Sequence, residues 1–206
     1  MRIDHLVITA PDLETGTAAI RTHLGVDPGP GGVHPTMGTH NRLLSLGESY
    51  LEVIAVDPAA ASPGRPRWFG LDRPQDVPRL SFWVARPAEM ARALAEAPMG
   101  MGDPVQMSRG DLSWQLTVPP SGDLPFDGVI PALIAWDGET AARHLPDSGL
   151  TLQRLRLSHP RMGDIQAAWP RLAETPGLVL EVGPQPGLRA EIATPEGLKV
   201  LSGAIG

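Results

Sequence analysis

The residues best suited to chemistry are concentrated between Gly31 and Asp57, a stretch with two histidines, an asparagine, an arginine and two glutamates. One of the glutamates, Glu52, lies within the apolar run from Tyr50 to Val56. Because burial of an unpaired carboxylate is energetically costly, Glu52 must either lie at the solvent-exposed opening of a site or face a cation or a metal ion. Each hypothesis about function therefore begins with this residue.

Two predicted strands position Glu52. Leu43 to Leu46 and Tyr50 to Val56 are short apolar runs separated by Gly47-Glu48-Ser49, a pattern typical of a tight hairpin. Along the second strand, Tyr50, Glu52, Ile54 and Val56 share one face, because side chains alternate between the two faces of a strand.

The register of this hairpin assigns roles to the residues before it. If Leu46 lies opposite Tyr50, then Arg42 and His40 share the face of Glu52, with His40 about 13 Å further along. We therefore predict that His40 contacts a substrate rather than a metal ion held by Glu52. Arg42 either forms an ion pair with Glu52 or binds a substrate anion, since a guanidinium matches a carboxylate.

Three other residues are candidates for substrate contact. Asn41 follows a Gly-Thr-His turn and either bonds its own backbone or reaches a ligand. Arg109 lies in a predicted loop, where binding residues are common. Trp114 either fills the core or forms the wall of an apolar pocket.

Composition excludes several classes of protein. The 206 residues carry a formal charge of −6 and form no basic block, which argues against a nucleic-acid partner. No apolar run approaches the roughly 18–20 residues of a membrane span, and no leader peptide opens the chain, so a cytoplasmic location is expected. There is no cysteine, so a metal site would need histidine and carboxylate ligands.

A strand, a proline, a helix and a glycine recur three times along the chain. The prolines are Pro11, Pro87 and Pro160, and the glycines are Gly25, Gly100 and Gly177. Each helix is followed by about three predicted strands, so the pattern indicates an α+β fold of repeated βαβββ units. Two such sheets facing each other would enclose a cleft. We expect three superposable units, one of them left unpaired.

The predicted organisation has five segments. They are a first βαβββ unit at 1–57, a proline-rich connecting or covering segment at 58–78, a second unit at 79–137, a loop at 138–149 and a third unit at 150–206. Within the covering segment, Trp68-Phe69 is expected to pin the chain to the body of the protein, because an exposed aromatic pair is unfavourable in a free linker.

Several segments resemble the glyoxalase-like branch of the vicinal oxygen chelate superfamily (glyoxalase, bleomycin resistance and dioxygenase proteins). They are Asp4-His5-Leu6-Val7, Gly31-Gly32-Val33-His34, Gly38-Thr39-His40-Asn41, Tyr50-Leu51-Glu52, Ser108-Arg109, Leu112-Ser113-Trp114 and Ile134-Ala135-Trp136-Asp137. The resemblance implies an α+β fold of repeated βαβββ units forming curved mixed sheets around a cleft. It also implies a divalent metal (Zn, Fe, Mn or Ni) held by His5 on the first strand and by Glu52, which is the catalytic candidate as well.

The chain departs from that pattern in its later units. With the prolines as landmarks, His5 corresponds to Ser81 in the second unit and to Arg154 in the third, and neither is a plausible metal ligand. The last strands of those units contain no carboxylate or imidazole. Half of the ligand set that the resemblance implies is therefore missing.

Two hypotheses follow. The first is a metal-dependent lyase, isomerase or dioxygenase that acts on a small oxygenated or carbonyl-bearing molecule. The second is a metal-free protein of the resistance type that binds and sequesters a small molecule. In both, the partner is a small molecule rather than nucleic acid or membrane, and the protein is a monomer or a homodimer.

Overall fold

The computed structural model describes residues 1–205 and contains three successive βαβββ units. The first comprises β1 (Arg2–Thr9), α1 (Leu13–Leu24), β2 (Val33–His34), β3 (Thr39–Leu46) and β4 (Ser49–Val56). The second comprises β5 (Arg79–Arg86), α2 (Met90–Glu96), β6 (Asp103–Arg109), β7 (Leu112–Val118) and β8 (Ala132–Trp136). After α3 (Ala141–His144), the third comprises β9 (Thr151–His159), α4 (Met162–Ala168), β10 (Leu178–Val182), β11 (Gly187–Thr194) and β12 (Gly197–Ser202). The predicted α+β class is confirmed.

Local sequence signals set the ends of the helices. The Asp12 carboxylate accepts a hydrogen bond from the Thr15 amide at 2.7 Å and caps α1 at its N-terminus. Gly25 ends the same helix in the left-handed conformation, with φ of 80°. Pro170 interrupts the helical pattern after α4, where a short 3₁₀ turn, Pro170–Glu174, begins.

The first two units form one curved, nearly closed sheet of eight strands in the order β2-β3-β4-β1-β5-β8-β7-β6. Within each unit the first strand is parallel to the last, and the two units join through the antiparallel pair β1 and β5. Two repeats thus enclose one cleft.

The third unit departs from this arrangement. Its sheet has the order β10-β9-β11-β12, so its first strand lies between two neighbours, one parallel and one antiparallel. The expectation of three superposable units is therefore wrong for this unit. Its inner residues, such as Leu155, Leu157 and Ile192, instead share a core with apolar residues from the first two units.

Two apolar clusters lie on opposite faces of the eight-stranded sheet. Leu6, Ile8 and Leu51 pack outward in the core shared with the third unit, whereas Val7 and Ile54 point into the cleft. β1 and β4 therefore lie between the two clusters. Their inner face borders the cleft and can carry a site. No helix within residues 1–205 is long and apolar enough to cross a membrane.

The proline-rich segment between the first two units lies over the cleft. A 3₁₀ turn, Trp68–Gly70, buries both aromatic side chains, and Phe69 packs on Phe82 with ring centroids 5.4 Å apart. Arg67 ties the segment to Asp72 and to the carbonyl of Gly38. We call residues 67–71 the strap.

Candidate functional site

His5 and Glu52 meet inside the cleft. Because β1 and β4 are parallel neighbours, with His5 opposite Tyr50 and Val7 opposite Glu52, both side chains project from the same face. His5 Nε2 lies 3.7 Å from Glu52 Oε2, and the two residues are only 4% and 6% exposed. The predicted convergence of these two side chains on one cleft is present in the structure.

Asp4 fixes the orientation of His5. A register shift between Ile3 and His5 forms a bulge in β1 that lets adjacent residues contact each other. The Asp4 carboxylate lies 2.8 Å from His5 Nδ1, accepts a hydrogen bond from Trp136 Nε1 at 3.1 Å and approaches Arg86 at 3.7 Å. His5 therefore donates its Nδ1 proton to Asp4 and turns Nε2 toward Glu52.

Tyr50 supports the imidazole from one side. Its ring stacks on that of His5 with centroids 4.5 Å apart and an angle of 19° between the planes. Burial raises the pKa of the Tyr50 hydroxyl well above its ordinary value, with smaller contributions from Asp4 and Glu52. Tyr50 therefore stays neutral and serves as a flat support.

The predicted hairpin register is wrong by one residue. Gly47 and Glu48 form a two-residue turn, so Leu46 pairs with Ser49 and Leu43 lies opposite Glu52. A shift of one residue moves every side chain to the other face of the strand. His40 and Arg42 consequently lie on the outer face, away from Glu52.

Asn41 takes the place on the cleft face that the predicted register gave to its neighbours. Its Nδ2 donates to Glu52 Oε1 at 2.5 Å and approaches His34 Nε2 at 3.4 Å. Its Oδ1 accepts from the Gly32 amide at 2.8 Å and from Arg109 Nη1 at 3.0 Å. Four contacts thus fix the amide, and through it one oxygen of Glu52.

Arg109 brings the two edges of the curved sheet together. From the end of β6 it reaches Asn41 on β3 and passes over Gly32, where a Cβ atom would lie 2.3 Å from Arg109 Cδ. At Gly31, a Cβ atom would lie 2.0 Å from the carbonyl oxygen of Asn41. The Gly31-Gly32 pair is thus required by close approach rather than by turn conformation.

His34 completes the polar side of the site. Its Nδ1 lies 3.1 Å from Thr39 Oγ1, and its Nε2 faces Asn41. Burial lowers the pKa of His34 to about 4, although the nearby Glu52 carboxylate opposes this shift. His34 is therefore neutral at pH 7.

We expect this buried histidine to make folding stability depend on pH. The unfolded chain, with a histidine pKa of about 6.5, binds the proton more tightly than the folded protein, so stability falls as the pH drops from about 6.5 to 4. Between pH 7 and pH 5, wild type should lose about 2 kcal/mol more than a His34→Gln variant in urea unfolding. Equal losses in the two proteins would contradict the neutral assignment.

The cavity between these residues has a volume of about 30 Å³, close to the space of one water molecule. Its polar side carries His5, His34, Asn41, Glu52 and Arg109. Its aromatic walls are Tyr50, Trp68, Phe69, Trp114 and Trp136. Of the five predicted substrate contacts, Asn41, Arg109 and Trp114 line this cavity, whereas His40 and Arg42 do not.

A larger open groove of about 860 Å³ lies outside the cleft, at the end of the barrel where β1 begins. It contains Arg86 and Arg143 but neither His5 nor Glu52. Arg86, which lines this groove, forms an ion pair with Asp4 beside the site. The residues suited to proton transfer are in the smaller cavity.

The residues present do not complete the metal site that the resemblance implies. Within the part of the chain that the structure describes, no three His, Asp or Glu side chains are arranged to hold a metal ion. His5 and Glu52 supply one donor each, and both nitrogens of His34 have partners within the protein. Catalytic zinc sites use three protein ligands, so this donor set is one short.

Sequence reasoning missed three contributors to the site. The contact of Asp4 with His5 could not be predicted, because adjacent strand residues normally face opposite sides of the sheet. No sequence signal indicates the bulge that brings them together. His34 and Trp136 lie in segments that carry the family resemblance, but the sequence assigned neither of them a role. The adjacent pair Asp4-His5 is the one signal that could have suggested an oriented imidazole.

Comparison with known families agrees with this architecture. The sequence model of the glyoxalase-like domain matches residues 3–173, most of the chain. The chain belongs to the glyoxalase-like domain family. The resemblance to the glyoxalase-like branch is thereby confirmed. No curated protein matches the sequence.

Solved structures similar to this glyoxalase-like protein have low sequence identity to it. A hypothetical protein from Staphylococcus aureus is 13% identical with a TM-score of 0.62, covering 99% of this chain and 88% of the other. The Streptomyces coelicolor methylmalonyl-CoA epimerase, in complex with 2-nitronate-propionyl-CoA, is 17% identical with a TM-score of 0.46, and the match covers 67% of this chain and 99% of the other. The Mycobacterium tuberculosis methylmalonyl-CoA epimerase is 14% identical with a TM-score of 0.44, and the match covers 69% of this chain and 91% of the other.

Proposed function

We propose that this glyoxalase-like protein is an isomerase-type enzyme that moves a proton at a carbon next to a carbonyl group of a small molecule. The observation that carries the proposal is the buried pair of His5 and Glu52, with Nε2 and Oε2 3.7 Å apart. Each member is held by a separate partner, Asp4 for the imidazole and Asn41 for the carboxylate. Such oriented pairs are typical of general acid–base catalysis.

The two members of the pair take complementary roles in this proposal. Glu52 Oε2 accepts the proton from carbon, since Oε1 is occupied by Asn41. His5, held by Asp4 through Nδ1, uses Nε2 to exchange a proton with Glu52 or with the substrate oxygen. Arg109 offsets the negative charge that develops on that oxygen. The proton returns to carbon at the end, so substrate and product are isomers.

The donor set argues for chemistry by these side chains rather than through a resident metal. His5 and Glu52 are the two candidate ligands, and no third His, Asp or Glu side chain among residues 1–205 is placed to join them. A metal bound between them would need further ligands from water or substrate. We therefore assign the proton transfer to the protein's own groups.

Solvent exchange at carbon tests this function even when the natural product is unknown. In D₂O, proton abstraction replaces C–H by C–D next to a carbonyl, and NMR follows the loss of the proton signal. We expect the protein to accelerate exchange for at least one of a panel containing pyruvate, 2-oxobutyrate, hydroxyacetone and malonate. Rates equal to the buffer rates for all four would contradict the proposal.

The sequestering alternative has one observation in its favour, the aromatic walls formed by Trp68, Phe69, Trp114 and Trp136. Such walls are common in sites that bind small organic molecules without reaction. A ligand that quenches tryptophan fluorescence on binding but shows no exchange at carbon would support that alternative over catalysis.

A further inference from the structure

The strap holds an unfavourable backbone conformation directly above the site. Phe69 has φ of 56° and ψ of 24°, the left-handed region that residues other than glycine rarely occupy. Contacts on both sides hold it there: Arg67 bonds Asp72, and the amide of Gly70 donates to the carbonyl of Gly122 at 3.3 Å. Strain of this kind persists where the surrounding structure imposes it, and it is frequent at functional sites.

The strap also carries an unsatisfied donor. Trp68 is 4% exposed and lines the cavity, yet its buried indole Nε1 has no hydrogen-bond partner among residues 1–205. Trp83 donates to the carbonyl of Val129 at 2.9 Å, and Trp136 donates to Asp4. A buried indole N–H normally finds an acceptor, so the orphaned donor of Trp68 requires an explanation.

Arg109 has unused hydrogen-bonding capacity in the same cavity. A guanidinium carries five N–H donors, and the one hydrogen bond from the Arg109 side chain within the described chain goes to Asn41. No ion pair joins Arg109 to a carboxylate among these residues, although Glu52 lines the same cavity. A positive group and a neutral donor thus border one small space.

We propose that Trp68 Nε1 donates a hydrogen bond to a carboxylate oxygen of the substrate, and that Arg109 supplies the opposite charge. The inference rests on the proposed function and names its substrate class, a small carboxylic acid with a carbonyl group next to an exchangeable C–H. A carboxylate accepts from both an indole and a guanidinium, and it would satisfy the orphaned donor of Trp68. A three-carbon acid needs more room than the cavity of about 30 Å³ provides, so the strap that carries Trp68 must move outward to admit it.

Trp68→Phe separates a binding role from a packing role, because phenylalanine keeps an aromatic ring but lacks the N–H. If Trp68 only fills space, the variant should lose stability and bind small acids as wild type does. If Trp68 is the donor, the variant should bind pyruvate and 2-oxobutyrate about tenfold more weakly than wild type, in addition to any loss of stability. Trp169→Phe is the matched control, since Trp169 Nε1 is also buried without a partner in the part of the chain described, but lies in the core, away from the cavity.

Indole NMR signals provide the direct readout. With ¹⁵N-labelled protein, Trp68→Phe identifies the Trp68 signal by its disappearance, and pyruvate, 2-oxobutyrate and neutral pyruvamide are then titrated into wild type. We expect both acids, but not the amide, to move the Trp68 indole proton downfield while the Trp83 and Trp169 signals stay in place. A stationary Trp68 signal in the presence of the acids, or equal affinity in Trp68→Phe, would overturn the assignment.

The inference and the proposed function fail in different ways. If the acids bind through Trp68 but wild type produces no exchange at carbon, the proton-transfer proposal falls and the carboxylate site stands. If exchange occurs while Trp68→Phe binds the acids as tightly as wild type, the function stands and the role of Trp68 is rejected.

Discussion

Replacement of Glu52 by glutamine is expected to lower the rate of exchange at carbon by about 10²–10⁴-fold, the usual contribution of a general base. Glutamine keeps the shape of the side chain, and its carbonyl oxygen can still accept from Asn41 Nδ2, so the fold should be retained. NMR exchange rates in D₂O, measured with the substrate that wild type handles best, give the comparison.

Glu48→Gln is the matched control for this experiment. Glu48 lies in the turn of the same hairpin, exposed to solvent, and loses the same charge when replaced. Its exchange rate should equal that of wild type. A Glu52→Gln rate within about threefold of wild type would show that another group removes the proton.

The Asp4→Ala substitution should have the largest effect on stability, lowering the free energy of unfolding by about 3–5 kcal/mol. Asp4 is 2% exposed, and its removal leaves His5 Nδ1 and Trp136 Nε1 without their acceptor and Arg86 without its nearest carboxylate. Buried donors that lose their partners account for costs of this size. Urea unfolding followed by circular dichroism measures the change.

Asp111→Ala provides the comparison for Asp4. Asp111 is exposed in the turn between β6 and β7, so its removal should change stability by less than about 0.5 kcal/mol. If Asp4→Ala cost no more than this control, Asp4 would not be the group that holds His5 in place.

The family resemblance predicted the central pair, and the strand patterns were consistent with it. His5 and Glu52 each lie in a clear strand pattern, and the repeat placed those strands at the two ends of one unit. The sequence does not determine the register of the hairpin, because a two-residue turn and a three-residue turn both fit Gly47-Glu48-Ser49. That one-residue difference exchanged Asn41 for His40 and Arg42 on the face of the site.

The order in which the strands of the third unit pair could also not be predicted from the sequence. Its element order along the chain repeats that of the first two units, but the order of strands in its sheet depends on contacts with distant residues. The core that it shares with the outer face of the eight-stranded sheet is such a contact. Local patterns fix the elements, and tertiary packing fixes their neighbours.

The central claim is that a buried pair of His5 and Glu52, rather than a resident metal, transfers the proton. The most direct test measures the exchange rate of wild type, purified without an affinity tag, before and after dialysis against a chelator, and again after addition of Zn²⁺, Mn²⁺, Fe²⁺ or Ni²⁺. We expect the same rate under all these conditions, together with loss of exchange in Glu52→Gln. Exchange that disappears on chelation and returns with one of the metals would contradict it.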